Sequence, residues 1–282
     1  MAEGNLIKIS IRVEPEILKR IDNLVDNIIV KNRSDAIRNL VKKAIHTERT
    51  AVILSKGTDT KYFNIDDRMK LENGEYNITA KLPHGKTLVE EQIDLVKSAG
   101  FKKIFIIALP EIIIKIKEIL GRKKNIIYIE NNHGLKTMDA LRLLKGKVNS
   151  DFLCFFGHDY PNMNLEGIFD EHINNHRYAT LNMTWGDPEA KSYLEVNGTK
   201  IIYFEERSSK ISHITFNSIF VLNPRFLDEK GHSLSYDVFP RVAKRGLLNG
   251  FITDHRIRKV LKLKDKEIVM KEIRKTKKLI KA

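Results

Sequence analysis

The 282-residue sequence contains one cysteine, one tryptophan, 15 glycines and seven prolines. A single cysteine can form no disulfide within the chain and cannot build a multi-cysteine zinc site. We therefore interpret Cys154, which lies in the apolar run FLCFF, as a buried thiol. Because glycine and proline are sparse and no low-complexity tract is present, the composition favours a folded globular chain.

Long hydrophobic runs and a secretion signal are also missing. The most apolar stretches, FIIALPEIIIKI and FLCFF, are too short or too interrupted to span a membrane. The first residues show no signal-peptide pattern, since the basic residues nearest the start lie inside an alternating segment. These features predict a cytoplasmic protein that has no membrane partner.

Basic residues are in excess and unevenly distributed. The chain carries 50 Lys and Arg against 36 Asp and Glu, which gives a formal net charge of +14. Residues 258–282 alone contain eleven basic and three acidic side chains. This distribution indicates an anionic partner such as nucleic acid, phosphates or a nucleotide, although a solvated basic helix has the same composition.

The first 46 residues contain one strand pattern and two helix patterns. The segment IKISIRV, residues 7–13, alternates apolar and polar side chains as a half-buried strand does. The first helix has Pro15 in its first turn, and Ser34 is the expected N-cap of the second. So short a unit cannot bury its apolar stripes alone, whereas two copies can pair their strands across a two-fold axis. We therefore expect a homodimer or a higher even-numbered homo-oligomer.

Residues 6–46 resemble the ribbon-helix-helix family of DNA-binding repressors, most specifically in the run NRSDAIR. In that family the paired ribbon enters the major groove of double-stranded DNA. The resemblance implies that three side chains read base edges, namely Lys8, Ser10 and Arg12. It also implies that backbone N–H groups near Arg33 and Ser34 hold a phosphate. The alternative is a ribbon-helix-helix used only for dimerisation or for binding another partner.

Residues 50–257 alternate short apolar strands, such as TAVILS and NIIYIE, with amphipathic helices. This order predicts an α/β domain with a Rossmann-like, mainly parallel sheet flanked by helices. Ligands are then expected at the carboxyl ends of the strands. The predicted domains are 1–47, 50–257 and a basic C-terminal helix over 258–282. That helix either packs on the α/β domain or contacts phosphates.

Residues 50–257 are also similar to the sugar-phosphate nucleotidyltransferase family, which has a glycosyltransferase-A-like fold. The likeness is clearest in KTLVEEQIDLVKSAGFKKIFII, LKTMDALRLL, SDFLCFFGHDY and SYDVFPRVAKRGLLNGF. Those enzymes convert an NTP and a sugar 1-phosphate into an NDP-sugar and pyrophosphate. The likeness implies nucleotide contacts from Gly57, Thr60, Lys61 and Thr137. It implies sugar-phosphate contacts from Lys81, Glu206, Arg207 and Asn217, and a Mg²⁺ ligand in Asp159.

Several positions depart from the family pattern where chemistry is expected. Lys56 and Asp59 replace glycines of the phosphate loop, and Lys136 and Asp139 replace glycines beside the base. No aspartate stands at the spacing of the second metal ligand. Because phosphoryl transfer needs charge neutralised at both reacting oxygens, we expect binding of a nucleotide, sugar phosphate or NDP-sugar with weak or no catalysis.

Taken together, the two resemblances predict a DNA-binding transcriptional regulator whose nucleotidyltransferase-like domain binds a nucleotide, sugar phosphate or NDP-sugar. Two alternatives to this prediction remain open on the sequence. One is an active Mg²⁺-dependent nucleotidyltransferase whose DNA-binding arm regulates its own pathway. The other is a protein–protein scaffold that binds neither DNA nor nucleotide.

Overall fold

The computed structural model describes most of the chain, namely residues 10–26, 30–45, 49–55, 69–132, 135–185, 192–210, 213–254 and 257–281. The chain divides into two compact units, Met1–Thr47 and Glu48–Ala282, which we call unit 1 and unit 2. Among the described residues, no helix has the length and apolar character needed to cross a membrane.

The described part of unit 1 contains two helices. Helix α1 spans Pro15–Asp22 and begins with its proline, whose missing N–H costs nothing in a first turn. Helix α2 spans Arg33–Ile45. Asn32, and not the expected Ser34, caps α2, because its side-chain oxygen accepts a hydrogen bond from the Asp35 amide at 3.0 Å.

An ion pair joins the end of α1 to the start of α2. The Arg33 guanidinium donates to both carboxylate oxygens of Asp22, at 2.5 and 2.8 Å. Helix α1 ends at Asp22, earlier than its apolar pattern suggests, and a turn follows it. Residues 7–9 of the expected strand lie outside the described residues, and residues 10–14 form no strand with a described residue of the same chain.

Unit 1 leaves much apolar surface uncovered. Among its described residues, Ile21 and Ala36 are the buried apolar side chains. Five large apolar side chains are 41–59% exposed, namely Ile11, Ile17, Leu24, Leu40 and Val41. The described residues of unit 1 therefore do not close a hydrophobic core within one chain.

Unit 2 contains eleven strands in its described residues. Nine form one sheet: β1 (Thr50–Ser55), β2 (Lys103–Ala108), β3 (Ile126–Glu130), β4 (Phe152–Phe156), β6 (Ala179–Trp185), β7 (Ser192–Asn197), β8 (Lys200–Glu206), β9 (Ile214–Leu222) and β10 (Leu248–Thr253). Their order is β3-β2-β1-β4-β9-β6-β10-β8-β7. The other two, β5 (Asp159–Tyr160) and β11 (Arg258–Lys259), pair with each other.

The strands are parallel in one half of the sheet and mostly antiparallel in the other. Strands β3, β2, β1 and β4 are parallel to one another, which confirms the mainly parallel α/β sheet expected from the sequence. Beyond β4, strand β9 is antiparallel to both β4 and β6, and the hairpin of β7 and β8 is antiparallel as well. Strands β6 and β10 are again parallel.

Helices cover both faces of this sheet. They are α3 (Leu88–Ser98), α4 (Pro110–Leu120), α5 (Thr137–Arg142), α6 (Leu165–Asn174) and α7 (Phe239–Lys244). Alternate residues of β1 enter different cores: Val52 and Leu54 pack in one cluster, and Ala51 and Ile53 pack in the other. The strand is therefore buried on both sides, as a central parallel strand should be.

The basic C-terminal segment packs on unit 2. Helix α8 (Asp265–Lys281) buries Val269 and Ile273 against the segment that precedes α3. Lys266 adds an ion pair with Glu75, at 2.7 Å. This contact supports the packing alternative for the helix, and it leaves other lysines of the segment on the surface.

Candidate functional site

The carboxyl ends of β1 and β4 lie side by side, with Leu54 level with Phe156. Gly157 follows β4, and its amide donates to the Leu54 carbonyl at 3.0 Å. A Cβ atom at Gly157 would lie 2.8 Å from Ser55 Cβ, so only glycine permits this approach. Buried Gln92 of α3 fixes the turn, because its Nε2 donates to the carbonyls of Gly157 at 3.0 Å and Asp159 at 2.6 Å.

Asp159, the expected metal ligand, is fully buried in this turn. Neither carboxylate oxygen has a well-formed hydrogen bond with a described residue, and Nε2 of His158 lies 3.4 Å from Oδ1. Lys259 faces Asp159 across the β5–β11 pair. Burial raises the pKa of Asp159 to about 7, although the charge of Lys259 and the Phe156 backbone lower it in part.

The described residues do not by themselves fit Mg²⁺. This ion prefers octahedral oxygen ligands and usually keeps several waters, whereas Asp159 has no exposed surface and faces a lysine. No group of three or more His, Cys, Asp or Glu that could hold a metal occurs among the described residues. The Mg²⁺ site at Asp159 stays a prediction.

Thr137, the expected nucleotide contact, begins α5 and is buried. Its Oγ1 accepts a hydrogen bond from the Leu234 amide at 2.9 Å. The next amide, that of Met138, donates to the His232 carbonyl at 2.9 Å. Polar groups at the start of α5 therefore bind the chain's own segment 232–234.

Asp139, one of the residues that stand where the resembled family has glycine, adds contacts between α5 and the segment before Leu234. Its carboxylate lies 2.7 Å from Nδ1 of His232 and also pairs with Arg142. Arg142 in turn donates to the Gly231 carbonyl at 2.7 Å. The charged pair thus holds the segment before Leu234 against α5.

Two of the expected sugar-phosphate residues, Asn217 and Glu206, belong to strands of the sheet. Asn217 of β9 is buried, and its Oδ1 accepts a hydrogen bond from the Ile257 amide at 3.1 Å. Glu206 ends β8 and is level with Ser192 of β7. Ser192 Oγ accepts from the Phe216 amide, next to Asn217, at 3.0 Å. Through β7, the end of β8 is thus connected to the Asn217 region of β9.

The other two residues of this set do not belong to a strand of the sheet. Arg207 follows β8 in a left-handed conformation, with a φ of 57°, and is partly buried. Lys81 is exposed in the segment before α3, and its backbone amide donates to Glu75 at 2.8 Å. The sugar-phosphate roles of the four residues stay predictions.

The other expected site residues lie partly outside the described chain. Lys8 lies outside the described residues. The three expected residues of the phosphate loop, Gly57, Thr60 and Lys61, also lie outside them. In unit 1, Ser10, Arg12 and Ser34 are exposed, whereas the Arg33 side chain is occupied by Asp22.

Two residues that interact with the turn after β4 were missed by sequence reasoning. Gln92 lies among apolar side chains on the buried stripe of α3, and a polar residue in such a stripe is a signal that could have found it. Lys259 carries no local signal, because its neighbour Asp159 is distant in the sequence.

No protein-family model matches the sequence, and no curated protein matches it. Solved structures do match. HddC from Yersinia pseudotuberculosis aligns with a TM-score of 0.64 and 15% identity over 80% of this chain and 99% of that chain. The inositol-1-phosphate CTP transferase from T. maritima aligns with a TM-score of 0.64 and 15% identity over 82% and 97%.

A putative glucose-1-phosphate thymidylyltransferase from Bacillus anthracis, in complex with a sucrose, aligns with a TM-score of 0.61 and 18% identity over 78% of this chain and 93% of that chain. HddC was also solved as a complex with GMP-PN, which aligns with a TM-score of 0.63 and 14% identity. At these identities the likeness shows the fold, and the expected nucleotidyltransferase-like fold is confirmed. The ribbon-helix-helix over residues 6–46 stays a prediction.

The raised pKa of Asp159 predicts a pH-dependent stability. The folded chain holds this proton more tightly than the unfolded chain, so its contribution is complete below the ordinary pKa of 3.8 and is lost as the pH rises through about 7. Relative to wild type, Asp159→Asn should gain about 2–3 kcal/mol in free energy of unfolding between about pH 5 and about pH 8.

Urea unfolding at both pH values measures this difference. Exposed Asp254→Asn is the control and should follow wild type. Asp151, whose pKa burial raises to about 6, titrates equally in all three proteins and cancels. A pH dependence of Asp159→Asn identical to that of wild type would contradict the burial of an ionisable Asp159.

Proposed function

We propose that this protein is a DNA-binding regulator in which each unit has its own ligand. Unit 2 binds a nucleotide, a sugar phosphate or an NDP-sugar, with weak or no nucleotidyl transfer. Unit 1 is a homodimeric ribbon-helix-helix that binds double-stranded DNA. Such a role belongs in the cytoplasm.

The likeness in fold supports ligand binding by unit 2. Two of its structural neighbours are named as nucleotidyl-transferring enzymes, and another, HddC, was solved with GMP-PN. In open α/β sheets, ligands bind outside the carboxyl ends of the strands. The turn after β4 lies at such an end, beside the last residue of β1.

The surroundings of Asp159 are the observation that argues against efficient transfer. A carboxylate that coordinates Mg²⁺ must reach the ion, whereas Asp159 is fully buried and faces Lys259. Nucleotidyl transfer depends on metal ions that neutralise charge on the phosphates. A site of this kind is better suited to holding a ligand than to turning it over.

The exposed apolar side chains of unit 1 support the dimer. Ile11 is 59% exposed and Leu40 is 41% exposed, although both belong to the apolar patterns of their segments. A second copy offers the same apolar residues and can bury both sets together. Two paired strands then present Ser10 and Arg12 on their outer face, as a β-ribbon reader of the major groove requires.

Coupling between the two ligands would make the protein a sensor. A bound nucleotide or NDP-sugar alters DNA affinity only if it binds the DNA-bound and free forms with different affinity. The coupling is reciprocal, so DNA must shift ligand affinity by the same factor.

Ligand binding by unit 2 is tested by a thermal-shift series with NTPs, sugar 1-phosphates and NDP-sugars. At one hundred times its dissociation constant a ligand stabilises the fold by about 2.7 kcal/mol, which should raise the Tm by several degrees. Lys61→Ala should reduce the shift, because the expected phosphate contact loses its charge. Lys244→Ala, which removes an exposed lysine of α7, should not.

A pyrophosphate-release assay with the same ligands tests catalysis, and we expect little or no release. Release that is abolished in Asp159→Ala would instead support the active-enzyme alternative. The absence of a shift with every ligand would contradict ligand binding by unit 2 and favour the scaffold alternative.

DNA binding by unit 1 is tested with Arg12→Ala and duplexes from the region upstream of the gene. A bidentate Arg–guanine contact contributes about 1–3 kcal/mol of discrimination. The variant should therefore bind its best site about tenfold or more weakly, as measured by fluorescence anisotropy. Arg20→Ala, an equal loss of charge from the exposed face of α1, is the control. Equal affinities of Arg12→Ala and wild type would contradict base reading.

A further inference from the structure

We propose that one edge of the unit 2 sheet is a second, sequence-independent contact surface for double-stranded DNA. This edge lies at the amino-terminal ends of β1, β2 and β3, opposite the carboxyl ends described above. We call it the basic edge, and its cationic residues are Lys102, Lys103, Arg122, Lys123, Lys124 and Lys147. The inference rests on the proposed DNA binding by unit 1.

The parallel register of the strands brings the basic edge together. Thr50 at the start of β1 is level with Lys103, and Ile104 is level with Ile126 at the start of β3. The Lys102 amide donates to the carbonyl of Arg49 at 3.0 Å. The amino-terminal ends of β1, β2 and β3 are thus in register.

The remaining cations adjoin these strand starts. The Ile104 amide donates to Asn125, the residue after Lys124, at 3.0 Å. Nζ of Lys103 donates to the carbonyl of Lys147 at 3.3 Å. Arg122 directly follows Gly121, the residue that ends α4. Residues from three separate connections therefore meet at one side of the sheet.

Three acidic residues in this region already form ion pairs with other cations. Glu166 and Asp170 of α6 pair with Arg49, at 3.2 and 2.8 Å, and Asp228 pairs with Lys145 at 2.8 Å. Glu118, which lines a surface groove with Arg122, opposes the charge in part. Within the described chain, none of the six cations of the basic edge forms an ion pair.

Helix ends do not account for this charge. Basic residues favour the carboxyl end of a helix, but the effect falls off within the last turn. Helix α4 ends at Leu120, so Lys123 and Lys124 lie beyond its last turn, and Lys102 precedes β2. Five of the six cations are exposed, all except Lys103. Clustered cations without partners repel one another, and a polyanion relieves that repulsion while releasing its counterions.

The course of the chain favours DNA as the polyanion. Unit 1 ends at Thr47, and β1 begins at Thr50. The chain therefore enters unit 2 at the amino end of β1, which belongs to the basic edge. Lysines at such a position provide phosphate contacts that carry no sequence information.

The test uses the full chain and a mixed-sequence DNA duplex, with affinity measured by fluorescence anisotropy over a range of salt concentrations. The variant is Lys123→Glu/Lys124→Glu. The control is Lys200→Glu/Lys244→Glu, which makes the same change in net charge at exposed lysines of β8 and α7. Circular dichroism and Tm confirm that each variant is folded.

We expect the basic-edge variant to bind about tenfold more weakly at low salt than the control. Its plot of log affinity against log salt should be less steep by about 2, since each lost phosphate contact removes about 0.9 from the slope. Equal affinities and slopes in the two variants would overturn the inference while leaving DNA binding by unit 1 in place. Tighter binding of single-stranded RNA than of duplex, lost in the basic-edge variant, would also overturn it. If wild type binds no duplex, the proposed DNA-binding function itself fails.

Discussion

Burial of apolar strands on both faces is the constraint on which unit 2 depends. In β1, Val52 and Leu54 face one core and Ala51 and Ile53 face the other, and all four are fully buried. Such a strand must lie in the middle of a sheet that is covered by helices on both sides. Parallel neighbours then collect all their carboxyl ends at one edge and all their amino ends at the other. The two edges differ in chemistry: the first has a glycine turn and buried polar groups, and the second has a row of lysines.

The described residues of unit 1 do not bury most of their apolar side chains within one chain. Its two described helices are held by the Asp22–Arg33 pair, which is exposed and contributes little stability. The apolar side chains that would form its core remain on the surface, which a small domain tolerates only when a partner covers them. In the proposed function, dimerisation and DNA reading are linked, because a second copy would both complete the core and supply the second strand of the ribbon.

Local patterns predicted the parallel half of the sheet, because TAVILS, KKIFIIAL and NIIYIE are apolar runs between amphipathic helices. The antiparallel half was not predicted, since the pairing of β9 with β4 and β6 has no local signal.

The candidate site was likewise predictable only where its residues carry a local signal. Its position at the strand ends was predictable, whereas the pairing of Asp159 with Lys259 joins residues that are remote in sequence. The hydrogen bond between Thr137 and the Leu234 amide likewise joins residues 97 positions apart. The cap of α2 was missed because Asn32 and Ser34 are equally good capping residues, and only the geometry distinguishes them.

The proposed function requires that unit 1 complete its core with a second copy of the chain. Sedimentation velocity of the full chain tests it directly. Wild type should sediment as a dimer, or as a higher even-numbered assembly, of the 32.6 kDa chain. Leu40→Glu should shift it toward the monomer by placing a charge on the apolar face of α2, whereas its exposed neighbour Asn39→Glu should behave as wild type. A wild-type protein that remains a 32.6 kDa monomer at all concentrations would contradict the account.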